Sequence, residues 1–282
     1  MLNTNQKMFI ARGVSSLIMA ARRVCCLSPY VTVTRRGITW SLNLREGIDL
    51  SIYLLGGFEV RTLHSYQRLV HDGDCVLDIG ANIGAHTLPL AQLVGDSGKV
   101  VAFEPTKYAF DKLNKNTALN PHLASRVILQ QMMLASSDSD ILPDAVYSSW
   151  PLERSNDLLH PDHQGRLMST QGVTVATLDK YVQAHDLHRI DFVKLDVDGN
   201  EYDVLRGGEE TLRKFRPALM MELAPYVYLT KTESFDKALT LLWGLGYQIA
   251  DVFSGDRLPQ DPEKVRRLIP LRGCINAVAT AA

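Results

Sequence analysis

The pattern of apolar and polar positions divides the chain into short apolar runs separated by helical stripes. It is plainest from Val76 to Pro105. Val76-Leu77-Asp78-Ile79-Gly80 reads as a buried strand that ends at a glycine, and Ala81 to Gly84 as a tight turn. His86 to Val94 then reads as a helix, with Thr87, Leu88, Leu90, Ala91 and Val94 on its packed side. Pro89 falls near enough to the start of that helix to be tolerated. Gly95 to Gly98 turn the chain back, and Lys99 to Phe103 is a second strand ending at Glu104-Pro105.

The same alternation runs on. It predicts a helix over Tyr108–Leu119, a third strand over Val127–Leu134, a short strand at Val173-Thr174-Val175 and a helix from Thr177 to Ala184. Ile190–Asp196 reads as the fourth core strand, Glu201–Phe215 as a helix and Ala218–Leu223 as the fifth strand. Ser234–Leu245 is a helix, and Tyr247–Phe253 and Gly273–Ala279 are strands joined by a polar, hairpin-like loop over Asp256–Lys264. Strands alternating with helices define an α/β chain, a mostly parallel sheet with helices on both faces. The last two strands would add an antiparallel edge. Ahead of the sheet come a helical arm over residues 1–28, a hairpin (Tyr30–Thr34 and Ile38–Leu44) and helices at Asp49–Leu55 and Glu59–Val70. The expected organisation is therefore an arm, hairpin and covering helices in 1–70, followed by the sheet domain in 71–282. Ser137–Gln171 is the least regular stretch, and a loop of that length is expected to shape a binding site.

Ligands of such sheets sit at the carboxyl ends of the strands. Gly80 and Gly84 would let backbone close on a ligand without a Cβ in the way. Glu104, at the tip of the second strand, suits a ribose diol. An acid at Asp78, ahead of the first glycine, is a poor neighbour for the pyrophosphate of a dinucleotide and a good one for an ammonium group. S-adenosylmethionine carries both an ammonium and a ribose. A nicotinamide dinucleotide, and with it an oxidoreductase, is the alternative. A methyltransferase-like scaffold without turnover is another.

The motifs D-I-G-A-N-I-G, which places Asn82 in the loop, A-F-E-P and K-L-D-V-D-G-N-E-Y-x-V-L-x-G together resemble the FkbM family of S-adenosylmethionine-dependent methyltransferases. The similarity runs from about Val33 to Glu222. It implies a Rossmann-like class I methyltransferase fold and methyl transfer to a hydroxyl of a small molecule, sugar, or lipid or glycan precursor. It also implies that the helices before Val70 lie over the cofactor and that Glu59 is an acid near it. The alternative for Glu59 is a carboxylate at a helix start. In folds of this kind the loop after the third strand approaches the adenine, which makes Ser136 a candidate contact.

Asp196, Asp198 and Glu201 crowd the exit of the fourth strand. Asp196 is the candidate base or orienting group, with Lys194 pointing the same way and able to pair with it or with Glu222. Glu201 either joins the chemistry or bonds to amides at its helix start. A divalent ion on these carboxylates is open but not favoured, because no dedicated metal motif is spelled. His160-x-x-His163 with Asp157 and Asp162 is too weak a pattern to change that. Tyr147, Trp150 and Leu158-Leu159 are expected to line an apolar acceptor pocket.

Composition narrows the partners. A formal charge of -1 over 282 residues provides no footprint for nucleic acid. No run is long and apolar enough for a membrane span. Cys25, Cys26, Cys75 and Cys274 have neither metal nor disulfide spacing, which fits a reducing, cytoplasmic setting, with Cys75 and Cys274 expected as buried small hydrophobes. Met8–Ala21 is apolar with arginines within and after it; packing on the domain is expected ahead of contact with a membrane surface. Arm and hairpin offer a homodimer surface or a simple cover.

Overall fold

The computed structural model describes residues 4–140, 143–153, 159, 165–228 and 232–281. α1 (Thr4–Val24) leads to the hairpin β1 (Tyr30–Arg35) and β2 (Ile38–Asn43), then to α2 (Gly47–Leu55) and α3 (Val60–Tyr66). β3 (Cys75–Ile79), α4 (Thr87–Leu93), β4 (Lys99–Phe103), α5 (Lys107–Ala118), α6 (Pro121–Ala124) and β5 (Val127–Gln130) follow. The middle of the chain holds β6 (Met132–Leu134), β7 (Ala145–Ser149), β8 (Arg166–Ser169), β9 (Thr174–Ala176) and α7 (Leu178–Ala184). β10 (Phe192–Leu195), α8 (Glu201–Gly207), α9 (Glu209–Phe215) and β11 (Ala218–Leu223) come next, and α10 (Thr232–Gly244), β12 (Tyr247–Asp251), α11 (Pro262–Leu268) and β13 (Ile275–Ala281) close the chain.

The main sheet has the order β12-β13-β11-β10-β3-β4-β5. Its five strands from β11 to β5 are parallel, and β13 runs antiparallel to both neighbours. This is the Rossmann-like class I methyltransferase sheet with its antiparallel edge. Strand order reverses between β3 and β10, so a ligand crevice opens at their carboxyl ends.

Period-two alternation sorts the sheet into two cores. Leu77, Ile79, Val193, Leu195, Leu219 and Met221 face one side, packing with Leu205, Tyr228 and Leu239. Val76, Phe192 and Met220 face the other, packing with Trp40, Ile52, Tyr66 and Leu88. The hairpin, α2 and α3 therefore share a core with the sheet. By the same alternation Asp78, Lys194 and Glu222 lie on the Trp40–Tyr66 side, beyond the last apolar residue that each strand turns to that side.

Four expectations change. The third strand divides after Gln130: β5 stays in the sheet, while β6 leaves it to pair with β9. The helix over Glu201–Phe215 breaks at Gly207-Gly208, where backbones and side chains crowd. A Cβ on Gly207 would sit 2.0 Å from the Ala135 carbonyl oxygen, and one on Gly208 would sit 2.7 Å from Leu178 Cδ2. Asp179 then caps the second piece by accepting from the amides of Glu210 (3.1 Å) and Thr211 (2.7 Å). The irregular stretch after Ser137 contains an antiparallel hairpin, β7–β8. It is held from a distance: Ser149 Oγ donates to Glu46 Oε2 at 2.8 Å and Arg166 Nη2 to Glu46 Oε1 at 3.3 Å. The polar stretch over Asp256–Lys264 runs into a helix, because Asp261 accepts from the amides of Glu263 and Lys264 at 3.0 and 3.2 Å with Pro262 at the first helical position.

Candidate functional site

Asp78 ends the polar side of β3 and is fully buried. Its Oδ2 accepts from Thr87 Oγ1 at 2.6 Å, which ties the strand to the start of α4. Its Oδ1 has no partner among the described residues. Burial raises the carboxyl pKa, and the nearby Lys194 charge and the Thr87 bond oppose that rise. Lys194 stands beside it, since the two residues pair across β3 and β10. The Lys194 ammonium donates to Asp196 Oδ2 at 2.7 Å. Burial works against that charge, but Asp196 and then Asp78 outweigh it and hold the ammonium well above its ordinary pKa.

The turn after β3 is spelled with glycine for steric reasons. Gly80 has φ +88°, and a Cβ there would lie 1.8 Å from the Asp196 carbonyl oxygen. The exits of β3 and β10 thus touch backbone to backbone. Asn82 follows with φ +48°, a conformation asparagine tolerates. Its amide donates to Glu104 Oε2 at 3.0 Å, and its Nδ2 donates to the Ser148 carbonyl at 2.8 Å. Gly84, at φ +90°, leaves room for Leu113, whose Cδ1 a Cβ would meet at 2.9 Å.

Glu104 ends β4 and is buried. Besides the Asn82 amide it accepts from the Thr106 amide at 2.9 Å and the Thr106 hydroxyl at 2.5 Å, with Ser148 Oγ at 3.4 Å. Burial raises its pKa, and these donors offset part of the rise. The β7–β8 hairpin is thus laid against this acid through Ser148. Trp150, on the far side of the same hairpin, packs with Met8, Leu50 and Leu152, so it joins the hairpin to α1 and α2. Leu158, His160, His163, Asp157 and Asp162 lie outside the described residues.

The exit of β10 is rich in carboxyls. Glu201 is buried and turned onto its own loop, accepting from the Val197 amide at 3.1 Å, from the Gly199 amide at 3.1 Å and from the Tyr228 hydroxyl. It braces the loop that presents Asp196 and Asp198. Asp198, at φ +49°, has its pKa raised by burial and by Asp196, Glu201 and Glu222. Glu222 ends β11 and is half-buried. Burial, then Asp196 and Glu59, push its pKa up to about 8. Cys274 hydrogen-bonds to it, so this half-buried thiol is more than core filler. Glu59 stands at the start of α3 with φ +48°, accepts from Thr62 Oγ1 at 3.1 Å, and bears electrostatically on both Lys194 and Glu222. It is thus a helix-start carboxyl that also lies close enough to Lys194 and Glu222 to act on both. Among the described residues no cluster of His, Cys, Asp and Glu has metal-binding geometry.

Ser136 is held in its own turn, donating to Asp140 Oδ2 at 2.8 Å. The remaining acids gather at β3, β4, β10 and β11. Two features escaped the sequence reading. The Tyr66 hydroxyl bonds to His86 Nδ1 at 2.9 Å, and His86 Nε2 is buried with no partner among the described residues. Burial pushes the His86 pKa well down and the Tyr66 pKa well up, so both stay neutral. A histidine two residues after Gly84 was the available signal. Glu222, read from the sequence as a possible partner of Lys194, does lie within its electrostatic reach, on the same face of the sheet. Ser148 had no local signal, because its partners are far away in the chain.

Sheet order, the glycine turn after β3 and an acid at the end of β4 together define an S-adenosylmethionine-dependent methyltransferase of the Rossmann-like class. The chain belongs to the FkbM family: the family model described as "Methyltransferase FkbM domain" matches residues 78–249. The hexuronic acid methyltransferase AglP of Haloferax volcanii is 31% identical over 166 residues, a match covering 55% of this chain and 62% of that protein. The methyltransferase sdnD of Sordaria araneosa is 28% identical over 208 residues, covering 61% of this chain and 78% of the relative. A crystal structure of Methyltransferase FkbM from Methylobacillus flagellatus KT superposes with a TM-score of 0.44 at 15% identity, covering 77% of this chain and 50% of that one. The residues present fit the donor's chemistry: Asp78 Oδ1 is a buried carboxyl oxygen with no partner among the described residues, the type of acceptor an ammonium needs.

Proposed function

We propose that this enzyme transfers the donor's methyl group to a hydroxyl oxygen of a neutral, sugar-like acceptor. The observation that carries this reading is the charge of the mouth. Asp196, Asp198, Glu222 and Glu59 surround a single lysine, which Asp196 already engages. Carboxyl groups hydrogen-bond to hydroxyls, and the lysine among them is already engaged by Asp196 rather than offered to an anionic acceptor. The name of the haloarchaeal relative, a hexuronic acid methyltransferase, supports a sugar as the acceptor class but not its neutrality, since a hexuronic acid is anionic.

When bound, the donor supplies a methyl group activated by a sulfonium. Asp78 Oδ1 receives the donor's ammonium, beside a Gly80–Gly84 turn whose glycines make room for Asp196 and Leu113. Glu104 receives the ribose diol as Ser148 gives way. Asp196, held in place by Lys194, orients the acceptor hydroxyl and takes its proton as the new C–O bond forms and the methyl–sulfur bond breaks. Glu222, largely protonated near neutral pH, donates to a second acceptor oxygen. Glu201 positions the loop. Ser136 contacts the adenine edge only if its Asp140 bond opens.

The test is methyl transfer from labelled S-adenosylmethionine to paired neutral glycosides and uronates, with the product bond located by NMR. A methyl ether on the neutral glycoside supports the reading. A methyl ester on the uronate overturns the hydroxyl assignment. Asp196→Asn is expected to lower turnover far more than donor affinity.

A further inference from the structure

The outer face of α1 has no role in the chemistry above and is built unlike a solvated helix. The inner face packs: Met8 is buried with Leu50 and Leu152, Ala11 and Ile18 lie against them, and Ser15 Oγ donates to the Leu44 carbonyl at 3.1 Å. The opposite face should then be polar. Instead Phe9, Gly13, Leu17, Ala20 and Val24 recur along it at helical spacing, with Ile10 beside them and no charged residue on the stripe. Phe9 is 80% exposed, Ile10 51%, Leu17 74% and Val24 85%. Leu27 and Tyr30 continue the exposed apolar surface beyond the end of the helix.

Charge identifies the occupant. The first 44 residues hold six basic side chains (Lys7, Arg12, Arg22, Arg23, Arg35 and Arg36) and no acid. The remaining residues hold 24 basic and 31 acidic side chains, so the chain's near-neutral total hides a cationic first segment and an anionic remainder. Arg23 is exposed on the flank of the apolar stripe. A second copy docked on this face would bring together two copies of a segment that carries six basic side chains and no acid. A polyphosphate strand would leave the apolar stripe in water. An anionic lipid surface satisfies both features at once, taking the stripe at the headgroup boundary and the cations among its phosphates. Among the described residues no helix is long and apolar enough to cross a membrane, so contact would be lateral.

We propose that the outer face of α1 docks this protein on an anionic lipid bilayer. The test is flotation of the full chain with phosphatidylcholine vesicles and with vesicles containing phosphatidylserine. Wild type is expected to float with the anionic vesicles, weakly with the neutral ones, and less as ionic strength rises past about 0.1 M, where the screening length falls to about 10 Å. A Phe9→Ser/Leu17→Ser variant is expected to lose at least about tenfold in partitioning, roughly 1.4 kcal/mol, and Arg23→Glu is expected to lose only the anionic preference. Both positions are exposed, so donor titration and thermal melting should match wild type and exclude misfolding. No flotation at low salt, or equal flotation of wild type and double variant, overturns the proposal. So does a dimer in equilibrium sedimentation that the double variant dissociates, since the face would then be a contact between copies.

Discussion

Asp78→Asn separates recognition of the donor from stability of the fold. The substitution keeps the volume of the side chain. An asparagine carbonyl can still accept from Thr87 Oγ1, which now lies 2.6 Å from Oδ2. Its amide nitrogen then replaces the Oδ1 that has no partner among the described residues. In the free protein little is lost, because Lys194 retains Asp196 and a buried carboxyl with an unmet oxygen is removed. Stability should stay within about 1 kcal/mol of wild type, the scale of one neutral hydrogen bond. Donor binding should fare worse, because an N–H would face the ammonium where a carboxylate oxygen had faced it. A charge-assisted hydrogen bond is worth about 1.5–3 kcal/mol, so affinity should fall roughly ten- to hundredfold. The assay is calorimetric titration with S-adenosylmethionine, S-adenosylhomocysteine and 5′-methylthioadenosine, beside urea unfolding of the free protein. The first two ligands carry the ammonium and should lose affinity equally. The third lacks it and should bind both proteins alike. Unchanged affinity for all three, or equal losses for all three, would refute the assignment of Asp78 to the ammonium.

Gly80→Ala should destabilise the fold by at least about 3 kcal/mol in urea unfolding, since the added Cβ would lie 1.8 Å from the Asp196 carbonyl oxygen at a positive φ. Ser148→Ala removes the hydroxyl that sits 3.4 Å from Glu104 and 3.1 Å from Thr106. Loosening the hairpin's hold by about 0.5–1 kcal/mol should tighten donor binding two- to fivefold, roughly; weaker binding in the same titration would show that Ser148 contacts the donor. Glu222 has a folded pKa of about 8 against an ordinary 4.5. Between those values the folded state keeps a proton that the unfolded chain has released, so this group makes stability fall as pH rises through the window, by at most about 1.4 kcal/mol per pH unit. Glu222→Gln should flatten that part of the stability curve, and an unchanged slope would place the raised pKa elsewhere.

The parallel core was legible because buried strands need continuous apolar runs, and β3 and β11 appear within one residue of where those runs lie. Asp78, Gly80, Gly84 and Glu104 were legible as a group because they are local to one strand-turn-helix-strand unit. Partners distant in sequence were not. The β7–β8 hairpin owes its place to Glu46, about a hundred residues earlier, and its own composition is that of a loop. The helix break at Gly207-Gly208 answers to Ala135 and Leu178, and the α11 cap was available locally in Asp261-Pro262 but went unread.

The sequence by itself determined the family, the order of strands and helices, and the residue types at the strand ends, because each depends on neighbours within one turn or one strand. Tertiary structure alone decided which of those residues meet. It set Asp78 beside Lys194 through strand register, turned Glu201 away from the mouth onto its own loop, and raised Glu222 by bringing Asp196 and Glu59 near it. It also laid Ser148 on Glu104 and left one face of α1 apolar and exposed. Register, burial and long-range charge are properties of the packed chain, and no window of sequence contains them.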